Sequence, residues 1–202
     1  MYRIVICLII AVIFAAFRPV FAGDTPGVQF YFDAGNVYFN EEKYDDAIRS
    51  YSRAISADPN FVQALRNRGL SFYRKGQFDE AISDYSRIIL QQPENADTYK
   101  DRGLAYLRKK QYGKAVEDYT KAIELDAKSP DVFHNRGIAY ANSGKYDEAI
   151  EDYNRELSLR PGEAGAYSSR GAAYAKKAMA DFRKACDLGN KNACEDLKQL
   201  QQ

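Results

Sequence analysis

The chain has 202 residues, 46% of them hydrophobic, which is ample for a packed core and too much for a disordered chain. Its 29 lysines and arginines nearly cancel its 28 aspartates and glutamates, so no broad field draws it to nucleic acid or to an anionic membrane. Tyrosine occurs 16 times and tryptophan not at all, the mark of one aromatic position copied many times.

The N-terminus reads as an export signal: Arg3, an apolar run from Ile4 to Phe17, then Arg18-Pro19 and the small-residue site Val20-Phe21-Ala22, which predicts cleavage after Ala22. The alternative is an uncleaved segment that tethers the protein to a membrane. Against it, the run of 14 residues falls short of the roughly 20 that span a bilayer. Cys7 lies inside the run, so no cysteine follows the cleavage point to carry a lipid anchor. Removing residues 1–22 takes away Arg3 and Arg18 and moves the formal charge from +1 to −1. The mature chain is expected to be soluble and periplasmic or secreted. Its two remaining cysteines, Cys186 and Cys194, are an even count compatible with one disulfide.

From Val28 onward the chain repeats itself with a period of 34 residues. Gly35, Gly69, Gly103, Gly137 and Gly171 stand in register, each followed three residues later by an aromatic: Tyr38, Phe72, Tyr106, Tyr140 and Tyr174. Four copies continue with Tyr44, Phe78, Tyr112 and Tyr146, then Ala47, Ala81, Ala115 and Ala149, then Tyr51, Tyr85, Tyr119 and Tyr153. Pro59, Pro93 and Pro161 punctuate the ends of three copies. Apolar positions recur at helical spacing over Val28 to Asn40 and again over Tyr44 to Ala57, with a short polar break between. Each copy therefore predicts a helical hairpin, with glycine and alanine where two helices approach closely and aromatics filling the space beside them. Proline after the second helix forbids further winding and starts the next copy.

In the fifth copy eight residues separate Tyr174 from Phe182, where the fourth has thirteen from Tyr140 to Tyr153. The five missing residues are the turn. What remains from Ala172 to Leu188 is made of helix formers without glycine or proline, so one continuous helix is the natural expectation. A strained corner or a short second helix that packs locally is one reading of this segment. The other is a dimer, in which the unfolded hairpin offers an apolar face to a second chain. Beyond it, Gly189 and Asn190 suit a helix end and the next cap, which places Cys186 and Cys194 on neighbouring helices across one turn. A helix from Lys191 to Leu200, with Glu195, Asp196 and Lys198 outside, supplies a polar cap.

The columns Gly-x-x-Tyr, Tyr-x-x-Ala, Tyr and Pro resemble the tetratricopeptide repeat, over residues 28 to about 188. The family's frequent tryptophan is replaced by Tyr31, Leu65, Tyr99, Phe133 and Tyr167, and arginine precedes four of the glycines (Arg68, Arg102, Arg136 and Arg170). The resemblance implies an all-α, right-handed superhelical solenoid with four complete repeats, a shortened fifth and a C-terminal capping helix. The implied organisation is a leader over 1–22, an array over 23–190 and a cap over 191–202, with copies at about 28–61, 62–95, 96–129, 130–163 and 164–188. The Cys-x7-Cys spacing resembles the disulfide of Sel1-like helical repeats, the alternative being two small buried thiols.

The resemblance also implies that the first helix of each copy lines a concave groove. Counted from the glycine, the positions facing it are Phe32, Arg66, Lys100, His134 and Ser168 (three before), and Asp33, Asn67, Asp101, Asn135 and Ser169 (two before). They continue with Asn36, Leu70, Leu104, Ile138 and Ala172 (one after), and Asn40, Arg74, Arg108, Asn142 and Lys176 (five after). Asparagines at repeat spacing suit the backbone of an extended peptide and arginines suit its carboxylates, although any single one of these residues is also an ordinary solvated side chain. The family's clamp for chaperone tails needs lysine three before and asparagine one after the same glycine; here Lys100 goes with Leu104 and Asn36 with Phe32, which disfavours that partner.

His134 is the single histidine, which leaves little for metal or nucleophile chemistry, and its slot suits a groove contact. Phosphate-loop and Gly-x-Gly-x-x-Gly patterns do not occur, and the acidic pairs Asp45-Asp46 and Glu117-Asp118 are expected on the outer face near helix starts. The sequence thus predicts a non-enzymatic scaffold for a protein or peptide, with no cofactor, metal or nucleic acid. A structural homodimer through the fifth copy is the alternative. A carbohydrate or small-ligand site at Tyr73, Arg66 and Arg74 is a third reading.

Overall fold

The computed structural model describes residues 27–126 and 128–200, so the expected export signal and its cleavage site lie outside the described residues. Among these are ten helices and no strand. They are α1 (Val28–Asn40), α2 (Tyr44–Ala57), α3 (Val62–Arg74), α4 (Phe78–Gln91), α5 (Ala96–Arg108), α6 (Tyr112–Leu125), α7 (Pro130–Asn142), α8 (Tyr146–Leu159), α9 (Ala164–Asp187) and α10 (Lys191–Gln199). Each helix packs on the next in chain order, and first helices of neighbouring copies also touch (α1 with α3, α5 with α7, α7 with α9). The result is a solenoid of helical hairpins whose first helices form one continuous inner wall.

The hairpins close at a left-handed backbone position that recurs with the repeat: Glu42, Gly76, Lys110 and Gly144 all have φ between 59° and 81°. Helix ends follow local chemistry. Asp45, Asp46, Asp79, Glu80, Asp147 and Glu148 occupy first turns, where they complement the helix dipole. Pro130 begins α7, and the side chain of Asn95 accepts from the Thr98 amide at 3.1 Å to cap α5.

Within each of the first four hairpins the two helices meet at the glycine. A methyl carbon placed on Gly35, Gly69, Gly103 or Gly137 falls within 3.0 Å of the ring of Tyr51, Tyr85, Tyr119 or Tyr153 respectively. Ala47, Ala81, Ala115 and Ala149 are fully buried on the opposing helix. Burial raises the Tyr51 and Tyr153 hydroxyls to about 12, and those of Tyr85 and Tyr119 higher still, so all four remain neutral.

The arginines before the second, third and fourth of these glycines each bridge three helices. Arg68, Arg102 and Arg136 each make a bidentate pair with an aspartate 16 residues on, Asp84, Asp118 and Asp152, at 2.7 to 2.9 Å. The third arm of each guanidinium reaches back to the preceding copy, to Ser52 at 2.9 Å and to Ser86 and Thr120 at 3.0 Å. These carboxylates are almost fully enclosed (Asp84 2%, Asp118 4% and Asp152 3% exposed), which corrects the expectation that Glu117-Asp118 is a solvated outer pair. Asp118 lies in mid-helix on the inward side and only Glu117 is exposed. Burial pushes the Asp118 and Asp152 carboxyls up from their ordinary range, and the paired arginines pull against that shift.

The fifth copy has no hairpin. α9 is one helix of 24 residues, continuous through the position where the other copies turn, so the reading as a single helix holds and that of a tight corner does not. Cys186 of α9 and Cys194 of α10 are joined by a disulfide with Cα atoms 4.8 Å apart. In the chain-entropy model a loop this short contributes roughly 2 to 3 kcal/mol toward holding the terminal helix.

Two outcomes follow from this packing. Gly103→Ala forces the Tyr119 ring off its seat and is expected to cost about 1 to 3 kcal/mol in thermal or denaturant unfolding; an unchanged midpoint would show that the contact is slack. Arg102→Met leaves a buried carboxylate unpaired at a cost of about 3 to 5 kcal/mol at neutral pH. In that variant the folded-state pKa of Asp118 lies above its unfolded value, so stability falls as pH rises through that range and returns as pH is lowered. Unfolding midpoints of variant and parent should therefore converge toward acidic pH.

Candidate functional site

The inner wall formed by α1, α3, α5, α7 and α9 is where the sequence places a groove, and most of its polar side chains are engaged with one another. In the first two copies the Tyr51 hydroxyl donates to Oδ1 of Asn36 at 2.8 Å, and Nδ2 of Asn67 donates to the same oxygen at 2.9 Å. Arg66 Nε donates to Asp101 at 3.3 Å and its Nη2 lies 3.9 Å from Asp97. Arg108 donates to the Tyr73 hydroxyl at 3.1 Å and stacks over the Tyr73 and Phe78 rings. Each of these three contacts links adjacent copies, so the residues expected to meet a partner also pin one repeat to the next.

Other expected groove residues are held locally. Phe32 stacks on Tyr51 and Phe61 with centroids 5.9 and 4.9 Å away and belongs to the core cluster more than to the groove. Asp33 accepts from Gln29 at 2.8 Å, Lys100 pairs with Asp97, and Asn142 donates to the Ile138 carbonyl of its own helix. His134 departs from its expected role as a free contact: its Nδ1 is hydrogen-bonded to Glu156 at 2.8 Å, and its ring packs 5.8 Å from that of Tyr153. Glu156 is 2% exposed, an acid in the column otherwise held by Ala54, Ile88 and Ala122, and that break in an apolar column was the available signal. Asn40, Arg74 and Asn135 make no side-chain hydrogen bond among the described residues.

Between α3 and α5 the wall opens into a pocket of about 260 Å³, lined by Leu70, Tyr73 and Arg74 from α3, Asp101 and Leu104 from α5, and Tyr85 from α4 beneath. Burial raises the Asp101 carboxyl, with Arg66 and Lys100 opposing the shift. The Tyr119 hydroxyl is buried without a hydrogen-bond partner among the described residues, and the column in which Asn36 accepts from Tyr51 holds Leu104 in this copy. A larger cavity of about 520 Å³, lined by Phe133, Arg136, Tyr140 and residues of α8, surrounds the Arg136–Asp152 pair rather than the inner wall. Among the described residues no group of three or more histidines, cysteines or carboxylates is placed to hold a metal ion, and no helix is long and apolar enough to cross a membrane.

The arginine–aspartate pairs went unread in the sequence, although Asp84, Asp118 and Asp152 stand 34 apart beside the tyrosine column. Against known proteins, three tetratricopeptide repeat models match the chain, over residues 32–92, 103–144 and 130–162. No curated protein matches it. Among solved structures the chain is similar to the crystal structure of MamA protein, with a TM-score of 0.72 and 28% identity over 86% of this chain and 89% of that one. It is similar to a tetratricopeptide repeat protein from Parabacteroides merdae, with a TM-score of 0.67 and 26% identity over 79% of this chain and 64% of that one. It also resembles the second tetratricopeptide domain of human RPAP3, solved in complex with the HSP70 peptide SGPTIEEVD, with a TM-score of 0.53 and 34% identity over 55% of this chain and 92% of that domain. With the 34-residue columns, the hairpin solenoid and family matches that together span 32–92 and 103–162, this chain belongs to the tetratricopeptide repeat family.

Proposed function

We propose that the protein is a non-enzymatic scaffold that holds an extended protein segment along its inner wall, with one side chain of that segment seated between α3 and α5. The observation that carries this reading is the open pocket itself. Leu70, Tyr73 and Leu104 leave an apolar recess on a wall most of whose polar groups are paired, with Arg74 free at its rim. The two solved RPAP3 domains, in complex with HSP70 and HSP90 peptides, support peptide binding as a use of this fold. The occupant favoured here differs from those acidic tails. The lysine and asparagine of a tail clamp do not fall in one copy, and Asp97 and Asp101 offset Arg66 and Lys100. An aliphatic anchor flanked by backbone that Asn135 and Arg74 can bond fits the wall better.

We further infer that the protein works outside the cytoplasm. The Cys186–Cys194 bond is of a kind that persists in oxidising compartments, and the N-terminal reading agrees with it. The alternative of a structural oligomer is favoured by one observation, the uncovered face of α9.

Peptides selected on the purified protein from a random library should share an aliphatic position. Their affinity should fall roughly tenfold or more in a Leu104→Asp, Arg74→Ala variant whose helical circular dichroism is unchanged. Equal affinity for parent and variant would remove the inner wall as the binding site.

A further inference from the structure

Restoring the five missing positions between Ala175 and Lys176 puts Ala178, Asp181 and Phe182 in the columns of Ala149, Asp152 and Tyr153. The second half of α9 thus keeps the alanine, aspartate and aromatic columns of a second repeat helix, without the leading aromatic that Tyr146 supplies in the fourth copy, and is fused in line with its first helix instead of folded against it. The first half correspondingly has an empty seat. Gly171 is exposed and nothing lies within 4 Å of where its methyl carbon would stand, whereas the four equivalent glycines are each covered by a tyrosine ring. Tyr167 and Tyr174, on the same face of the helix, are 51% and 53% exposed.

The charges tell the same story. Arg170 donates to Asn154 at 2.6 Å, the rearward contact made by Arg68, Arg102 and Arg136, yet it has no carboxylate partner among the described residues. The position 16 residues on is Cys186. Its column-equivalent acid, Asp181, is exposed on the same helix, eleven residues and about 16 Å further along the axis, where Arg170 cannot reach it.

We propose that a second copy of this chain fills the seat, with α9 of two protomers packed antiparallel so that each donates its second half as the missing helix of the other's fifth repeat. Gly171 then receives Phe182 of the partner subunit, and Arg170 pairs with Asp181 of the partner subunit. Both pairings straddle Lys176, so one two-fold axis there satisfies both, and the reciprocal pair follows by symmetry. The face that α9 leaves open, Tyr167, Gly171 and Tyr174, is the one a local second helix would have covered. Deleting a turn while keeping both halves of the interface is the usual route to such an exchange. The dimer is independent of what the inner wall binds.

Sedimentation equilibrium of the purified protein is expected to show a dimer. A variant with Asn-Ser-Gly-Lys-Tyr, the turn of the fourth copy, inserted between Ala175 and Lys176 is expected to be a monomer of unchanged helical content, its fifth hairpin closed on itself. Arg170→Asp and Asp181→Arg should each weaken association roughly 30-fold or more, and the double variant should regain most of it. Arg170→Asp gives up the contact to Asn154 of the fourth repeat but leaves the Arg68, Arg102 and Arg136 bridges intact, so a stable monomer remains as the read-out. A parent that stays monomeric at its highest soluble concentration, an insertion variant that still dimerises, or a double variant no better than either single one overturns the proposal.

Discussion

The close approach of a tyrosine ring to a bare glycine backbone sets the geometry of every complete repeat. With no Cβ on Gly35, Gly69, Gly103 or Gly137, the second helix moves in until its tyrosine lies across the first, and small alanines keep the rest of the interface shallow. Repeating one contact at a fixed interval repeats one crossing geometry. The inner wall exists because that geometry leaves the first helices side by side.

The arginine bridges add the connection between copies. Each guanidinium ties its own second helix through a bidentate carboxylate and the preceding copy through a hydroxyl, so hairpin closure and stacking share one buried charge. Such a pair adds little net free energy over an apolar substitute, because both charges leave water; its geometry admits only one register. The inner wall uses the same economy. Asn67 on Asn36, Arg66 on Asp101 and Arg108 on Tyr73 fix neighbouring first helices, and the recess between α3 and α5 is left over.

The last copy shows what the glycine seat implies when it is not filled. α9 is a regular helix with its arginine half satisfied and two tyrosines in water, and the residues that would complete it lie on the same helix out of reach. The disulfide ties α10 to the half of α9 that carries Asp181 and Phe182. Cap and second half of α9 are therefore covalently joined.

Period, fold class, helix pairing and the continuity of α9 were all legible in the sequence, because they rest on local propensity and on columns that need no partner to be seen. The absence of a turn between Tyr174 and Phe182 is a covalent fact, and a chain of helix formers has no other way to run. The sequence also supplied the inner-wall positions, but not their state. Whether Asn67 faces a ligand or Asn36, whether His134 is free or held by Glu156, and whether Asp118 is solvated or locked to Arg102 depend on side chains 16 to 31 residues apart. Their distances are fixed only when the helices cross. Tertiary structure decided those, and it decided that the recess between α3 and α5 stays open and that Gly171, alone among the five glycines in register, stays uncovered, because both are properties of the space between helices.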